Sequence, residues 1–191
     1  MKIGIDLDDV LCQTMRAVIK FHNNIYETNL KIDDVINYSL CKIWGGTEEE
    51  TTKKIHEFHK TDYAKNIKPV KGAREILEKI KINNELYIIT ARPFDAIGET
   101  EEWVQDHFPN IFSKIYFTDQ PYENTANITK EKICNDIGID IFIEDNLKNA
   151  LKCRCADRKV YLFDYQWNQT DKLTDGVKRV YSWEELGKSL L

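Results

Sequence analysis

The sequence predicts an α/β fold in which a Rossmann-like parallel sheet is flanked by helices. Short apolar segments rich in β-branched and aromatic residues alternate with longer helical patterns, and these apolar segments are continuous. Strands that alternate with helices in this way form parallel βαβ units. Continuous apolar runs fit strands that are buried on both faces of a sheet. A chain of 191 residues is long enough for one such domain with an insertion.

Five strands and four intervening helices are expected in chain order. The strands are predicted at residues 3–7, 85–90, 114–117, 139–143 and 160–163, and the helices at residues 72–82, 95–107, 129–137 and 147–153. Gly138 follows the third of these helices, where a left-handed C-cap is expected. Ser182 precedes Glu185 by the spacing of a capping box, which predicts a final helix to residue 191.

The segment 13–67 interrupts this alternation because it contains no convincing strand. Helices are predicted at residues 14–26 and 47–60, the second beginning with Thr47 and Glu50 at capping-box spacing. A βα connection usually has about 2–6 residues, so this segment is predicted to be an inserted helical subdomain. We expect residues 1–12 and 68–191 to form the α/β core, with residues 13–67 as a small helical cap over the end of the first strand.

Composition and charge exclude several classes of protein. Apolar residues make up 42% of the chain, charged residues 31%, and the net charge is −5, which is typical of a globular protein. Clustered Lys and Arg residues are absent, so a nucleic-acid polymer is not an expected partner. No apolar run approaches the ~20 residues of a membrane span or resembles a signal peptide. Five scattered cysteines favour reduced thiols, and we expect a cytoplasmic protein without a membrane partner.

Acidic residues follow the first predicted strand. Side chains alternate along a strand, so Asp6 and Asp8 can point the same way. Two carboxylates held about 4 Å apart in a partly screened site repel by about 4 kcal/mol. A cation must offset this repulsion, or one acid must keep its proton. Ligands bind at the carboxyl ends of strands in open α/β sheets, so a functional site is predicted here.

Later strands also end in polar residues. Thr90 and Ala91 end the second strand, Lys130 opens the helix before the fourth, and Glu144 and Asp145 end the fourth. Each feature alone is weak evidence for a functional site; a Thr after a strand, for example, is usually a turn or capping residue. Together with the first acids they form the set that a carboxylate-based phosphoryl-transfer site requires.

At this point the chain resembles the haloacid dehalogenase (HAD) superfamily over residues 1–165. The four motifs of that family are matched in order by the segment 6–10 (Asp-Leu-Asp-Asp-Val), by Thr90, by Lys130 and by the pair 144–145, and the insertion stands where the family places a cap. The second Asp of the first motif is typical of the phosphatases in the family. The segments 89–93 and 142–146 resemble the 5′(3′)-deoxyribonucleotidase-like branch, although Asp9 stands where many relatives carry Gly.

The resemblance implies a mechanism. Asp6 would attack phosphorus and form an aspartyl-phosphate, and Asp8 would protonate the leaving oxygen and later activate water. Mg²⁺ would be held by Asp6, by the Asp8 main-chain carbonyl and by Asp145. Thr90, the Ala91 amide and Lys130 would bind phosphate oxygens.

The implied activity is a Mg²⁺-dependent phosphomonoester hydrolase, with a (deoxy)nucleoside 5′-monophosphate as the small phosphorylated substrate. Another phosphorylated metabolite is the closest alternative. Two alternatives come from other classes, namely a phospho-accepting signalling module and a catalytically silent phosphate- or nucleotide-binding protein. The position of the acids on the first strand and the inserted cap disagree with the signalling module, and nothing in the sequence favours the silent protein.

Several residues have two interpretations. Lys132 is the alternative to Lys130 as the lysine of the site. Glu144 is expected to orient a metal-bound water rather than to bind the ion directly. Arg92 would hold a substrate phosphate or pair with an acid. His56 and His59 lie three apart in a predicted helix without a third metal ligand, so both are expected at the surface.

Aromatic residues of the inserted segment could stack on the nucleobase of a substrate, but their helical spacing predicts that most of them lie in a core. They are Phe21, Tyr26, Tyr38, Trp44, Phe58 and Tyr63. Trp44, which precedes two glycines, is the best candidate to project over the site.

Overall fold

A computed structural model describes residues 1–37, 39–118 and 128–191. Tyr38, one of the aromatic residues considered above, lies outside the described residues. The strands are β1 (Lys2–Ile5), β2 (Glu85–Thr90), β3 (Lys114–Phe117), β4 (Ile141–Glu144), β5 (Lys159–Phe163) and β6 (Val177–Val180). The helices are α1 (Thr14–Ile25), α2 (Leu40–Trp44), α3 (Glu48–His59), α4 (Asp62–Lys65), α5 (Ala73–Ile80), α6 (Ile97–His107), α7 (Lys130–Asp136), α8 (Leu147–Cys153) and α9 (Trp183–Leu190).

All six strands form one sheet in the order β3-β2-β1-β4-β5-β6. Every neighbouring pair is parallel, which confirms the predicted Rossmann-like sheet. The chain winds away from β1 in both directions, so β1 and β4 meet where the order reverses. In open α/β sheets this switch point is where a ligand crevice forms at the carboxyl ends of the strands.

Both faces of the sheet are buried, as the continuous apolar runs predict. In β4, Ile141 and Ile143 pack in the core formed with α5, α6 and α9, while Phe142 packs on the opposite face with α7 and α8. Each fully buried side chain of this kind contributes about 1.5–3 kcal/mol to folding. In the centre of the sheet, a Cβ atom on Gly4 would lie 3.0 Å from the side chains of Ile89 and Phe142, so a larger residue would have to displace both.

The prediction of five strands is wrong, because the structure contains a sixth strand, β6, at the edge of the sheet. Its two middle residues are Lys178 and Arg179, and only Val177 and Val180 are buried. An edge strand is covered less than a central one, so its sequence lacks the continuous apolar run that identified the others.

The predicted helix boundaries are confirmed where capping residues specify them. Gly138 has a φ of +67°, the left-handed conformation expected after a helix. Thr47 and Glu50 form the reciprocal capping box that begins α3. The hydroxyl of Ser182 accepts a hydrogen bond from the amide of Glu185 and begins α9.

Four helices, α1 to α4, lie in the inserted segment 13–67, and the described part of this segment contains no strand. The segment has an aromatic core in which the Phe21 ring lies 5.6 Å from Phe58 and 5.9 Å from Tyr63. Met15 and Ile55 line a cavity together with residues that follow β1 and β2. The inserted helices therefore cover the carboxyl edge of the sheet. None of the helices in the described ranges is long and apolar enough to span a bilayer.

Candidate active site

A cavity of about 300 Å³ lies between the carboxyl edge of the sheet and the inserted helices. This volume is at the lower end of small-molecule sites, so it fits one small metabolite. The charged side chains that line it are those of Asp6, Asp8, Asp9, Arg92 and Lys130, and Thr14, His59 and Asn149 add uncharged polar groups.

A wider groove of about 740 Å³ lies between α1 and α4 and is lined by basic residues that include Arg16, Lys20 and Lys68. None of the acids that follow the strands lines this groove. We therefore place the chemistry in the smaller cavity.

Lys130 joins the acids that follow two neighbouring strands. Its Nζ lies 2.7 Å from Oδ1 of Asp6, which follows β1, and 2.9 Å from Oε2 of Glu144, which ends β4. The Asp6 Oδ1 atom also accepts a hydrogen bond of 2.7 Å from the amide of Leu7. All three charged side chains are buried. The structure thus brings Asp6 and Lys130 into contact across 124 positions of sequence only because β1 and β4 are adjacent.

Neighbouring contacts distinguish the two interpretations of the lysine and assign a role to Asn146. Lys132 forms an exposed ion pair with Asp136 at 2.9 Å, away from the cavity, so Lys130 is the lysine that reaches the acids. Asn146 begins α8 by accepting a hydrogen bond of 3.1 Å from the amide of Asn149.

Negative charge exceeds positive charge around Lys130. Burial and the Glu144 carboxylate raise the pKa of Asp6 well above its usual value, although Lys130 opposes them. Burial, Glu144 and Asp6 raise the pKa of Asp145 in the same way. Burial alone would lower the pKa of Lys130, but Asp6 and Glu144 outweigh it and raise that pKa. One ammonium group therefore faces more carboxylates than it can neutralise.

Asp145 is held by a loop that follows β5. Its Oδ2 accepts a hydrogen bond of 2.8 Å from the indole of Trp167, and its main-chain carbonyl accepts one of 2.6 Å from the Asn168 amide group. Its Oδ1 is fully buried and has no hydrogen-bond partner among the described residues. Carboxylate oxygens of Asp6, Glu144 and Asp145 all lie within 4.8 Å of one another. A buried acceptor without a donor, beside two further carboxylates, is suited to holding a cation.

Asp8 is held by a buried guanidinium group. The Arg92 Nε and Nη2 atoms lie 3.1 and 2.8 Å from Asp8 Oδ1, and the Thr14 hydroxyl donates to the same oxygen. Burial alone would raise the pKa of Asp8, but the charge and hydrogen bonds of Arg92 outweigh it and lower that pKa to about 2. Of the two interpretations of Arg92, the structure shows the pairing with an acid.

Asp9 adopts a backbone conformation that most residues avoid. Its φ is +58°, in the left-handed region that Gly adopts most easily and Asp tolerates, which fits its place at a Gly position of the HAD pattern. Its two carboxylate oxygens accept hydrogen bonds of 3.1 Å from the Met15 amide, and its carbonyl accepts one of 2.8 Å from the Tyr165 hydroxyl. Burial raises the pKa of Asp9 to about 8.

Thr90 and Ala91 take different positions at the end of β2. Ala91 lines the cavity. The side chain of Thr90 is fully buried, and its hydroxyl accepts a hydrogen bond of 3.2 Å from the Arg92 amide. Binding of phosphate by these two residues stays a prediction.

Two expectations about the inserted helices are wrong. His59 was expected at the surface, but it is only 8% exposed and lines the cavity together with Phe58. Trp44 was expected to project over the site, but it does not line the cavity, and its ring stacks on His22 at 4.7 Å. Trp44 therefore contributes to the core of the inserted segment.

The whole chain, residues 1–191, matches the family described as 5′ nucleotidase, deoxy (pyrimidine), cytosolic type C. A nucleotidase of Clostridium acetobutylicum is 26% identical over 189 residues, which cover 97% of this chain and 91% of the relative. A 5′(3′)-deoxyribonucleotidase of the same organism is 26% identical over 192 residues, with 98% of this chain and 95% of the relative covered.

Solved structures share the fold at lower identity. A HAD-superfamily hydrolase of Geobacter sulfurreducens matches with a TM-score of 0.62 at 18% identity, covering 99% of this chain and 98% of that one. A protein of the HAD-hydrolase type from Bacillus subtilis, bound to magnesium, matches with a TM-score of 0.66 at 14% identity, covering 99% and 97%. These findings confirm the predicted fold and activity class: the chain belongs to the cytosolic type C deoxy (pyrimidine) 5′-nucleotidase family of the HAD superfamily, and it is a phosphatase.

Proposed function

We propose that the protein is a Mg²⁺-dependent phosphomonoester hydrolase that acts on (deoxy)nucleoside 5′-monophosphates through an aspartyl-phosphate on Asp6. The observation that carries this proposal is the convergence of Asp6, Asp8 and Lys130 on one small cavity. The part of the proposal that names a nucleotide as the substrate rests on the family and on the two clostridial relatives. The family description makes pyrimidine deoxyribonucleotides the first substrates to test.

In the first step, a carboxylate oxygen of Asp6 attacks phosphorus while the bond from phosphorus to the ester oxygen breaks. Asp8 donates its proton to that leaving oxygen, so the substrate's alcohol departs neutral. Lys130, 2.7 Å from Asp6, also attracts the phosphate oxygens and positions them for in-line attack.

In the second step, water attacks the phosphorus of the aspartyl-phosphate, and Asp8 accepts the proton of that water. The bond between phosphorus and Asp6 breaks, which releases inorganic phosphate and restores both carboxyl groups to their starting states.

Arg92 connects substrate binding to the first step. Its guanidinium group holds Asp8 through two of its nitrogens in the substrate-free site. Asp8 must carry a proton before it can donate one, so Arg92 has to share its hydrogen bonds with the incoming phosphate. A phosphate dianion is a suitable competitor for a guanidinium group.

The residues present fit a bound Mg²⁺. Asp145 offers an unpartnered buried oxygen, and Asp6 lies beside it. Asp6, Asp145 and the main-chain carbonyl of Asp8 would hold the ion. Both Glu144 oxygens already accept hydrogen bonds, from Lys130 and from the Asn146 amide, so Glu144 would orient the site instead. When bound, Mg²⁺ supplies positive charge that offsets repulsion among the acids and neutralises charge on the transferring phosphoryl group.

A phosphate-release screen tests the proposal. The panel contains ribo- and deoxyribonucleoside 5′-monophosphates, sugar phosphates and phenyl phosphate, each assayed with Mg²⁺ and with EDTA. We expect Mg²⁺-dependent release that is fastest with a nucleoside monophosphate. Faster turnover of a sugar phosphate would show that the proposed nucleotide substrate is wrong. Absence of phosphate release from every ester would refute the whole proposal.

The indole of Trp167 is expected to position Asp145 for the ion. Trp167→Phe keeps the aromatic ring but removes the N–H that donates to Asp145 Oδ2 at 2.8 Å. Loss of a hydrogen bond that orients a metal ligand typically costs about 10- to 100-fold in affinity, so we expect Mg²⁺ to bind at least about 10-fold more weakly. Calorimetric titration of the substrate-free protein measures this affinity.

Trp103→Phe is the matched control for this variant. Trp103 is also buried and donates its indole N–H, but to the carbonyl of Ile67, away from the carboxylate cluster. We expect its affinity for Mg²⁺ to equal that of the wild type. Equal affinities in all three proteins would show that Trp167 has no part in positioning Asp145.

A further inference from the structure

His59 is a buried polar residue that the proposed mechanism does not use. It ends α3, is more than nine-tenths buried, and lines the cavity beside Phe58. The two neighbouring rings meet edge to face at 5.2 Å. His56, one turn earlier on the same helix, turns elsewhere and pairs with Asp95 at 3.0 Å.

The imidazole of His59 has no hydrogen bond or ion pair among the described residues. Neither ring nitrogen is sealed in the protein interior, in contrast to the enclosed and unpartnered Nε2 of His22. Buried polar groups in native proteins nearly always have partners. A buried imidazole without a partner, at the wall of the substrate cavity, therefore points to a partner on the ligand.

The charge state of His59 restricts what that partner can be. Burial and the nearby Arg92 guanidinium lower the pKa of His59 to about 4, so the ring is neutral near pH 7. A neutral imidazole offers one donor and one acceptor and does not attract a phosphate dianion as a cation would. Arg92 and Lys130 are the cationic side chains at this cavity. His59 is therefore suited to hydrogen-bond an uncharged polar group of the ligand.

The direction of the reaction indicates which part of the substrate reaches His59. In-line displacement places the leaving oxygen opposite the attacking carboxylate. Asp6 lies at the carboxyl edge of the sheet, directly after β1, so the leaving group extends away from the sheet and toward the inserted helices. The apolar residues on that side are Met15, Val18, Leu40, Ile55 and Phe58, and His59 is the polar residue that α3 adds to them.

We propose that His59 is a specificity-determining residue that hydrogen-bonds an uncharged polar group of the substrate's leaving group, while the apolar wall contacts that group's flat face. This inference rests on the proposed phosphatase activity and deepens it. It selects phosphomonoesters whose alcohol carries a planar ring with a carbonyl, amino or hydroxyl group, as a nucleoside does. An aryl ester without such a group gains nothing from His59.

The test compares thymidine 5′-monophosphate with phenyl phosphate in the wild type and in His59→Phe, His59→Asn and His56→Phe. His59→Phe is expected to lower kcat/KM for the nucleotide by about 10- to 100-fold, mainly through KM, and to change kcat/KM for phenyl phosphate less than about twofold. His59→Asn, which keeps a hydrogen-bonding side chain, should recover part of the loss. His56→Phe should behave as the wild type with both esters.

The ratio of the two kcat/KM values separates recognition from a structural role, because a misfolded site would lose both activities. An equal loss with both esters in His59→Phe, no loss with the nucleotide, or no preference of the wild type for the nucleotide would overturn the inference while leaving the phosphatase activity standing. If the wild type releases phosphate from neither ester, the proposed function fails and the inference fails with it.

Discussion

Replacing Asp6 by Asn is expected to abolish phosphate release while the protein stays folded. The variant keeps an oxygen that can accept from the Leu7 amide and from Lys130, as Asp6 Oδ1 does at 2.7 Å in each case. It lacks the anionic nucleophile, and loss of a nucleophile that forms a covalent intermediate removes most of the rate enhancement. We expect kcat to fall by at least about 10⁴-fold, measured as phosphate release at saturating substrate with Mg²⁺.

Asp136→Asn is the matched control. Asp136 is an exposed acid that pairs with Lys132 far from the cavity, so the same chemical change there should leave kcat within about twofold of the wild type. Turnover near that of the wild type in Asp6→Asn would contradict the nucleophilic role. Loss of the circular dichroism spectrum of the folded protein would instead show that the variant is inactive because it is unfolded.

Asp6→Asn should also change how stability depends on pH in the Mg²⁺-free protein. Burial and Glu144 raise the pKa of Asp6 in the folded state above its value in the unfolded chain. Its contribution to stability is therefore present at low pH and is lost as the pH rises above about 4, the unfolded value. The amide cannot ionise, so the free energy of unfolding of the variant relative to the wild type should increase between pH 5 and pH 8. Urea denaturation in EDTA measures this difference.

The sequence predicted the centre of the site better than its periphery, for a physical reason. Asp6, Glu144 and Asp145 follow continuous apolar runs, and parallel strands deliver their carboxyl ends to one edge of a sheet. The meeting of Lys130 with Asp6 follows from the same topology. Those contacts required only the fold class and the order of the motifs.

His59 was missed although a signal was present. Thr51, Ile55, Phe58 and His59 are spaced i, i+4, i+7 and i+8, which defines one face of a helix. The prediction that His56 and His59 both lie at the surface did not take account of that face. The burial of Phe58 and His59 shows which face of α3 turns toward the sheet.

Other parts of the site could not be predicted from local patterns. Trp167 reaches Asp145 from the loop after β5, and no spacing in the sequence relates a loop residue to a carboxylate 22 positions away. The choice of Asp8 as the partner of Arg92 likewise depends on three-dimensional distance. The misassignment of Trp44 has the same origin, because an aromatic residue before two glycines can turn toward a core or toward a cavity.

Replacing Lys130 by Met is expected to lower both activity and stability. Met keeps most of the apolar volume of the lysine chain but removes the cation that contacts Asp6 at 2.7 Å and Glu144 at 2.9 Å. Removing one partner of a buried ion pair typically costs about 3–5 kcal/mol, and loss of a group that stabilises charge in a transition state costs about 10²- to 10³-fold in rate. Urea denaturation and phosphate release measure the two effects.

Lys132→Met is the matched control, because it makes the same chemical change two residues away. Lys132 pairs with Asp136 on the exposed surface of α7, and exposed pairs of this kind contribute about 0.3–0.5 kcal/mol. We therefore expect stability and turnover close to those of the wild type. A larger loss of turnover in Lys132→Met than in Lys130→Met would reverse the assignment of the lysine.

Added Mg²⁺ separates the two roles of Lys130. A divalent ion held by Asp6 and Asp145 would offset the same repulsion that Lys130 offsets, and binding to the folded state alone would stabilise it by mass action. The stability of Lys130→Met should therefore recover in part when Mg²⁺ replaces EDTA. Its turnover should not recover, because the ammonium group that holds the phosphoryl oxygens is still missing. Full recovery of turnover would restrict Lys130 to a structural role, and phosphate binding would then depend on Arg92.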